Sequence, residues 1–85
     1  MPYIKKEDRG FFKRIYDVEI PRTPGELNYL LSIIVTEYLG EEGISYDSIN
    51  EVIGVLECAK MELYRRVAVP YEQEKMESNG DVYTS

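Results

Sequence analysis

The stretch that decides the fold runs from Asn50 to Val69 and reads NEVIGVLECAKMELYRRVAV. At about 100° per residue, its apolar positions line one face of a long helix. Those positions, with one residue just before the stretch, are Ile49, Val52, Ile53, Leu56, Ala59, Leu63, Tyr64 and Val67. Lys60 projects from the same face. A cation in an apolar stripe must pair with a carboxylate, reach water or line a pocket, so Lys60 is the first candidate for a functional side chain.

This third helix of the chain has two candidate starts. Ser45 can cap it directly, or Ser48 can form a capping box with Glu51. We favour Ser45, and both remain open at this point. Pro70 removes a backbone donor and clashes with the preceding turn, so it breaks or kinks the helix. A short helix over residues 71–77 follows.

The second helix carries the strongest start signal in the chain. Thr23 is a good N-cap, Pro24 suits the first helical position, and Glu26 completes a capping box. The helix should run to about Glu42, and Gly43 can take the left-handed position after it, with an apolar residue following. Its main apolar face comprises Leu27, Leu30, Leu31, Ile34, Val35 and Tyr38.

A first helix is predicted over residues 5–17, and its apolar face comprises Ile4, Phe11, Phe12 and Ile15. A short loop joins the second and third helices, which favours an antiparallel pair. The predicted fold class is therefore all-α: a three-helix arrangement built on an antiparallel helical hairpin, with the first segment lying across it. We expect one small domain over residues 1–85, with loose tails at 1–3 and 79–85.

Composition excludes several classes of function. The chain has 85 residues, one cysteine, no histidine and a net charge of −6. An intrachain disulfide is impossible, and the common zinc sites lack their ligands. The acidic balance opposes non-specific nucleic-acid binding. With no long apolar run and no signal-peptide pattern, we expect no membrane contact and a cytoplasmic protein, in the host cytoplasm if a phage encodes it.

Both long helices carry apolar or small residues away from their main stripes. A helix that is apolar on more than one side must be covered on more than one side, and a small first helix cannot cover both. We therefore predict a homodimer or higher oligomer. The alternative is that these are scattered surface residues and that the glycine is merely tolerated. The predicted interface comprises Tyr29, Ile33, Gly54, Val55, Cys58 and Met61.

A polar strip beside the apolar stripe is the other candidate site. The favoured interpretation is a hydrogen-bonded strip that fixes helix register, and the alternative is the wall of a ligand pocket. Arg65 and Arg66 follow Tyr64 and form a basic cluster with Lys60. These cations either interact favourably with the negative end of the helix dipole or bind an anion. The candidate ligand-binding residues are Asn50, Glu57, Lys60, Tyr64, Arg65 and Arg66. Without a histidine base or a phosphate-cradling loop, we predict no catalytic residue, no metal and no cofactor.

Several segments are familiar as sequences: MPYIKKEDR, TPGELNY, ISYDSINEVIGVLECAKMELYRRV, PYEQEK and NGDVY. Over nearly its whole length the chain resembles a family of short bacterial, archaeal and phage proteins of unknown function, and NEVIGVLECAK is the most specific part of the likeness. The resemblance implies kinship and a prokaryotic or phage setting, and no activity.

Two functions are therefore predicted, with the first favoured. The first is a non-enzymatic helical binding or assembly protein that acts as a homo-oligomer, with itself as partner. The alternative is a phage-type anti-defence or host-takeover inhibitor. Such an inhibitor would sequester a small anionic ligand, such as a nucleotide signal, or block a host protein. A third hypothesis, an enzyme built on Glu57, Lys60 and Tyr64, has the least support.

Overall fold

The computed structural model describes residues 4–16 and 19–83, with the backbone alone at positions 11 and 13–16. These residues form three helical runs and no strand, which confirms the all-α class. The chain divides into two units, Met1–Ile53 and Gly54–Ser85. Of the predicted tails at residues 1–3 and 79–85, residues 1–3 and 84–85 lie outside the described residues, and Asn79 is the last residue of the helix Val69–Asn79.

The first run is α1, Lys6–Tyr16. Acidic residues in its first turn, Glu7 and Asp8, suit the positive end of the helix dipole. The prediction of a helix over 5–17 is confirmed to within one residue at its start, and Asp17 lies outside the described residues. On the predicted apolar face, Ile4 and Phe12 are exposed, while Phe11 and Ile15 fall where only the backbone is described.

The second run is α2, Pro24–Glu42, and it begins as the sequence predicts. Thr23 is extended, and its Oγ1 accepts a hydrogen bond from the Glu26 N–H at 3.1 Å. The predicted capping box needs one correction. The Glu26 carboxylate accepts from the N–H of Arg22 at 2.9 Å, because that is the donor within its reach when Thr23 is extended before proline.

Gly43 ends α2, as predicted, and its N–H donates to the Leu39 carbonyl at 2.8 Å. Its φ of 84° is one that glycine adopts without strain. Its ψ of 144° is extended, so the left-handed cap conformation was wrong in detail. Ile44, the apolar residue that follows Gly43, is 78% exposed. The chain passes from here directly to the N-cap of the next helix.

The third run starts with α3, Tyr46–Leu63. The Ser45 hydroxyl accepts from the Ser48 N–H at 3.1 Å, and the Ser48 hydroxyl accepts from the Ser45 N–H at 2.9 Å. Ser45 is therefore the N-cap, which confirms the favoured start. Ser48 does not begin a box of its own with Glu51; it closes the reciprocal box from the N3 position.

The helix does not break before Pro70. A π-helical segment, Tyr64–Ala68, follows α3 and leads directly into α4, Val69–Asn79. The Val69 N–H donates to the Tyr64 carbonyl, five residues back. A wider turn of this kind accommodates local misfit, so Pro70 fits as an early residue of α4. The short helix predicted over 71–77 is longer at both ends, and Gly80 caps it at φ 87°.

Among the described residues, no apolar side chain is buried, and Ser48 is the one buried residue, at 4% exposure. Apolar residues of α2 remain exposed on all its sides, from 36% at Leu30 to 67% at Tyr29. Only Val35 and Leu39 of that helix are half-buried. No described helix has both the length and the apolarity to cross a membrane. The helices are thus locally well formed, while their apolar faces lie open.

Candidate functional site

Lys60, which lies in the apolar stripe, pairs with a carboxylate and reaches water. Its Nζ lies 2.9 Å from Glu57 Oε1, and the two side chains are 71% and 58% exposed respectively. Tyr64, one turn further on, is 59% exposed. The predicted Glu57–Lys60 pair is confirmed. At this exposure an ion pair three residues apart contributes about 0.5 kcal/mol or less.

Asn50 belongs to the first unit and is exposed on α3. The other members of the predicted strip belong to the second unit. The prediction that these residues form either a register-fixing strip or a pocket wall stays a prediction.

The two arginines of the predicted basic cluster lie in the π-helical segment. Arg65 pairs with the Glu62 carboxylate, three residues earlier, and Arg66 is exposed. Segments of this type often mark functional positions in helices. The π-helical segment was not predicted from the sequence. The one sequence signal for it is a proline inside an otherwise uninterrupted helical pattern.

The predicted interface residues lie open to different degrees. On α2, Tyr29 is 67% and Ile33 38% exposed. On α3, Val55 is 56% and Met61 60% exposed, whereas Cys58 is half-buried with a free thiol. Gly54 has open space around it, since a Cβ built there meets no atom within 4 Å. These side chains are available for contact with another molecule.

A shallow apolar groove lies at the start of α2, and sequence reasoning did not find it. It encloses about 220 Å³ and is lined by Glu19, Ile20, Pro21, Glu26, Tyr29 and Leu30. The irregular segment before α2 forms one wall, and the first turns of α2 form the other. The groove therefore joins apolar surface to two carboxylates, a combination that suits an apolar side chain flanked by a cation.

The end of α2 carries a local negative potential. Tyr38 Oη donates to Glu51 Oε1 at 3.4 Å, which links α2 to α3 within the first unit. Partial desolvation, followed by the charges of Glu51 and Glu42, raises the pKa of the Tyr38 phenol above its ordinary value. The phenol is neutral at physiological pH, so this tyrosine acts as a hydrogen-bond donor and not as a base.

The second unit contains another shallow groove, of about 250 Å³, between the end of α4 and residues 80–83. It is lined by Glu72, Lys75, Met76, Asn79, Gly80, Asp81, Val82 and Tyr83. Within 4–16 and 19–83, no cluster of three or more cysteine or acidic side chains is placed to hold a metal ion.

Comparisons with known proteins give one match. The model of a family described as a domain of unknown function (DUF6899) matches residues 1–82. No curated protein and no solved structure matches the chain.

Proposed function

The chain belongs to the DUF6899 family, and we propose that it is a non-enzymatic helical assembly module whose apolar faces are covered by further copies of itself. One observation carries the proposal: no described apolar side chain is buried in either unit. Chains that expose large contiguous apolar surface use it for binding.

The exposed apolar surface of α2 determines how much free energy an oligomer can gain by covering it. Fully burying one Val, Leu, Ile, Phe or Met side chain is worth about 1.5–3 kcal/mol. Seven apolar residues of α2 are at least 36% exposed: Leu27, Tyr29, Leu30, Leu31, Ile33, Ile34 and Tyr38. Because these side chains are only 36–67% exposed, covering all seven gains about half of the full-burial value, on the order of 5–10 kcal/mol per copy. The cost of association is on the order of 4–15 kcal/mol.

The alternative, capture of an anionic small molecule, has weaker support. Lys60 and Arg65 each already pair with a carboxylate three residues away, so an anion must displace those partners first. Arg66 is exposed, as Lys60 and Arg65 are, and it lies in the π-helical segment. The observation that favours anion capture is that Arg65 and Arg66 lie in a π-helical segment.

The test of assembly is the molar mass in solution. We expect sedimentation equilibrium of the full chain at micromolar concentration to give a discrete multiple of 9.9 kDa. Paired substitution of Tyr29→Glu and Ile33→Glu should return it to a monomer. Val82→Glu is the matched control, because Val82 is 89% exposed outside any helix. A wild-type monomer would remove the proposal.

The test of anion capture is thermal stability against a panel of nucleotides. A stabilisation that Arg66→Gln abolishes, while Lys75→Gln leaves it intact, would favour capture. Lys75 is a suitable control because it is exposed on α4 and lies over the Tyr71 ring. No shift with any nucleotide would remove the small-molecule form of the alternative.

A further inference from the structure

We infer that α1 of a second copy covers the apolar surface of α2, with its cations set against the acidic end of that helix. The inference rests on the proposed function, since it names the segment that makes the contact. It concerns residues of the first unit, and it depends on how charge is divided along the chain.

The central part of the chain contains no cation. Between Arg22 and Lys60 there is no lysine or arginine, and there are seven carboxylates: Glu26, Glu37, Glu41, Glu42, Asp47, Glu51 and Glu57. Any partner that packs on α2 therefore meets apolar side chains bordered by negative charge alone. Complementary potentials select partners at such surfaces.

The acidic residues of α2 are also placed unfavourably for the helix itself. Glu37, Glu41 and Glu42 occupy its last turns, and no basic residue lies in the last turn. Carboxylates near the negative end of a helix dipole are destabilising, whereas cations there are stabilising by about 0.3–1 kcal/mol each. The pKa of Tyr38 is raised first by desolvation and then by the charges of Glu51 and Glu42, and those two charges belong to the same negative region. A cation supplied from outside relieves this repulsion.

The chain contains one segment with the matching chemistry. Residues 4–16 carry five cations and two carboxylates. Lys5, Lys6 and Arg9 are exposed, as are the apolar Ile4 and Phe12. At 1.5 Å per residue, α1 is about 16 Å long and α2 about 28 Å, so α2 is long enough to seat α1. Basic and apolar side chains together fit the surface described above.

Other occupants fit less well. Two parallel copies of α2 would bring Glu37, Glu41 and Glu42 of both copies together, and two antiparallel copies would leave these carboxylates without a cation. The α1 helix of the same chain has the right charge. If that helix packed on α2 of its own copy, however, no surplus apolar surface would remain to bind another copy. The test therefore distinguishes this arrangement from contact between copies.

The test is charge-swap complementation, read by molar mass. One variant carries Lys5→Glu, Lys6→Glu and Arg9→Glu; the other carries Glu37→Lys, Glu41→Lys and Glu42→Lys. The lysines at 37, 41 and 42 suit the local helix dipole, as do glutamates near the start of α1, so both variants should remain helical by circular dichroism. We expect each alone to be monomeric and an equimolar mixture to form a mixed oligomer.

The outcomes separate this inference from the proposed function. If the wild type is a monomer, both fail. If the wild type is oligomeric and the two variants remain so, only the inference fails, because association does not use these charges. If each variant alone is monomeric and their equimolar mixture also stays monomeric, α1 and α2 do not pair between copies and the inference is overturned.

Discussion

The connector, residues 43–48, joins α2 to α3 and includes the first turn of α3. It contrasts with the α2 helix itself. In the connector, the Ser48 hydroxyl donates to the Gly43 carbonyl at 2.7 Å, and reciprocal bonds join Ser45 to Ser48. Ser48 is buried there. In α2, no described residue is buried. The connector satisfies its polar groups within six residues, whereas seven apolar residues of α2 remain 36–67% exposed.

The difference separates two kinds of stability. Hydrogen-bonded caps are local, so they should persist at any protein concentration. If copies of the chain cover α2, as proposed, that coverage should follow mass action. Substitutions in the two regions should therefore respond differently to dilution.

The largest expected effect is on association. Ile33→Ala removes an apolar side chain from each copy. Because that side chain is 38% exposed before association, the loss is about 1 kcal/mol per copy, and the dissociation constant of a dimer should rise by about 30-fold. Sedimentation equilibrium checks this. Val82→Ala, outside the helices, is the control and should leave the constant unchanged. Equal effects of the two would break the distinction between α2 and the rest of the surface.

Next in size is Ser48→Ala, in the connector. The change leaves the Ser45 N–H and the Gly43 carbonyl without their partner, which should cost about 1–3 kcal/mol. Urea unfolding followed by circular dichroism measures the loss. It should be the same at low and high protein concentration. Ser78→Ala, at an exposed position near the end of α4, is the control, and a comparable loss there would contradict the account of the connector.

The N-cap of α2 should give a smaller effect. Thr23→Ala removes the acceptor for the Glu26 N–H, at a cost of about 1 kcal/mol. Thr36→Ala is the matched control, since its hydroxyl donates back to the Ser32 carbonyl inside the helix, an arrangement that adds little stability. Thermal unfolding of the two variants should rank them in that order.

Pro70→Ala tests the origin of the π-helical segment. The restored N–H can donate to the Arg66 carbonyl, which adds a net of about 0.5–1.5 kcal/mol and favours an α-helical turn over residues 64–68. Backbone carbon chemical shifts and amide exchange at Val69 report the change. Unchanged shifts at Tyr64–Ala68 would show that the segment arises from something other than the proline.

The smallest effect concerns Tyr38. Because its pKa is raised in the folded state, the phenol favours folding below its ordinary pKa, and this contribution is lost as pH rises through the folded value. Glu51→Gln should move the pKa of Tyr38 back towards its ordinary value. Carbon NMR of labelled tyrosine rings measures this, and Tyr83, which is 97% exposed, should not respond.

Local signals predicted local structure well. Thr23, Pro24 and Gly43 placed both ends of α2, because each acts on the backbone within a few residues. Ser45 and Ser48 seemed to be competing caps, since each fits a cap pattern alone, and the structure uses both in one box. Pro70 was ambiguous because a π turn can accommodate a proline that an α turn cannot. The pairing of Lys60 followed from spacing, whereas the groove at Tyr29 depends on an irregular segment whose position no periodicity predicts.

The most direct test of the central claim is the dependence of thermal unfolding on protein concentration. If copies of the chain cover the apolar face of α2, the midpoint should rise by about 3–6 °C for each tenfold increase in concentration, as expected for a dimer of this size. A cooperative transition with a midpoint that stays constant over about a hundredfold range, in a sample with the mass of one chain, would contradict it.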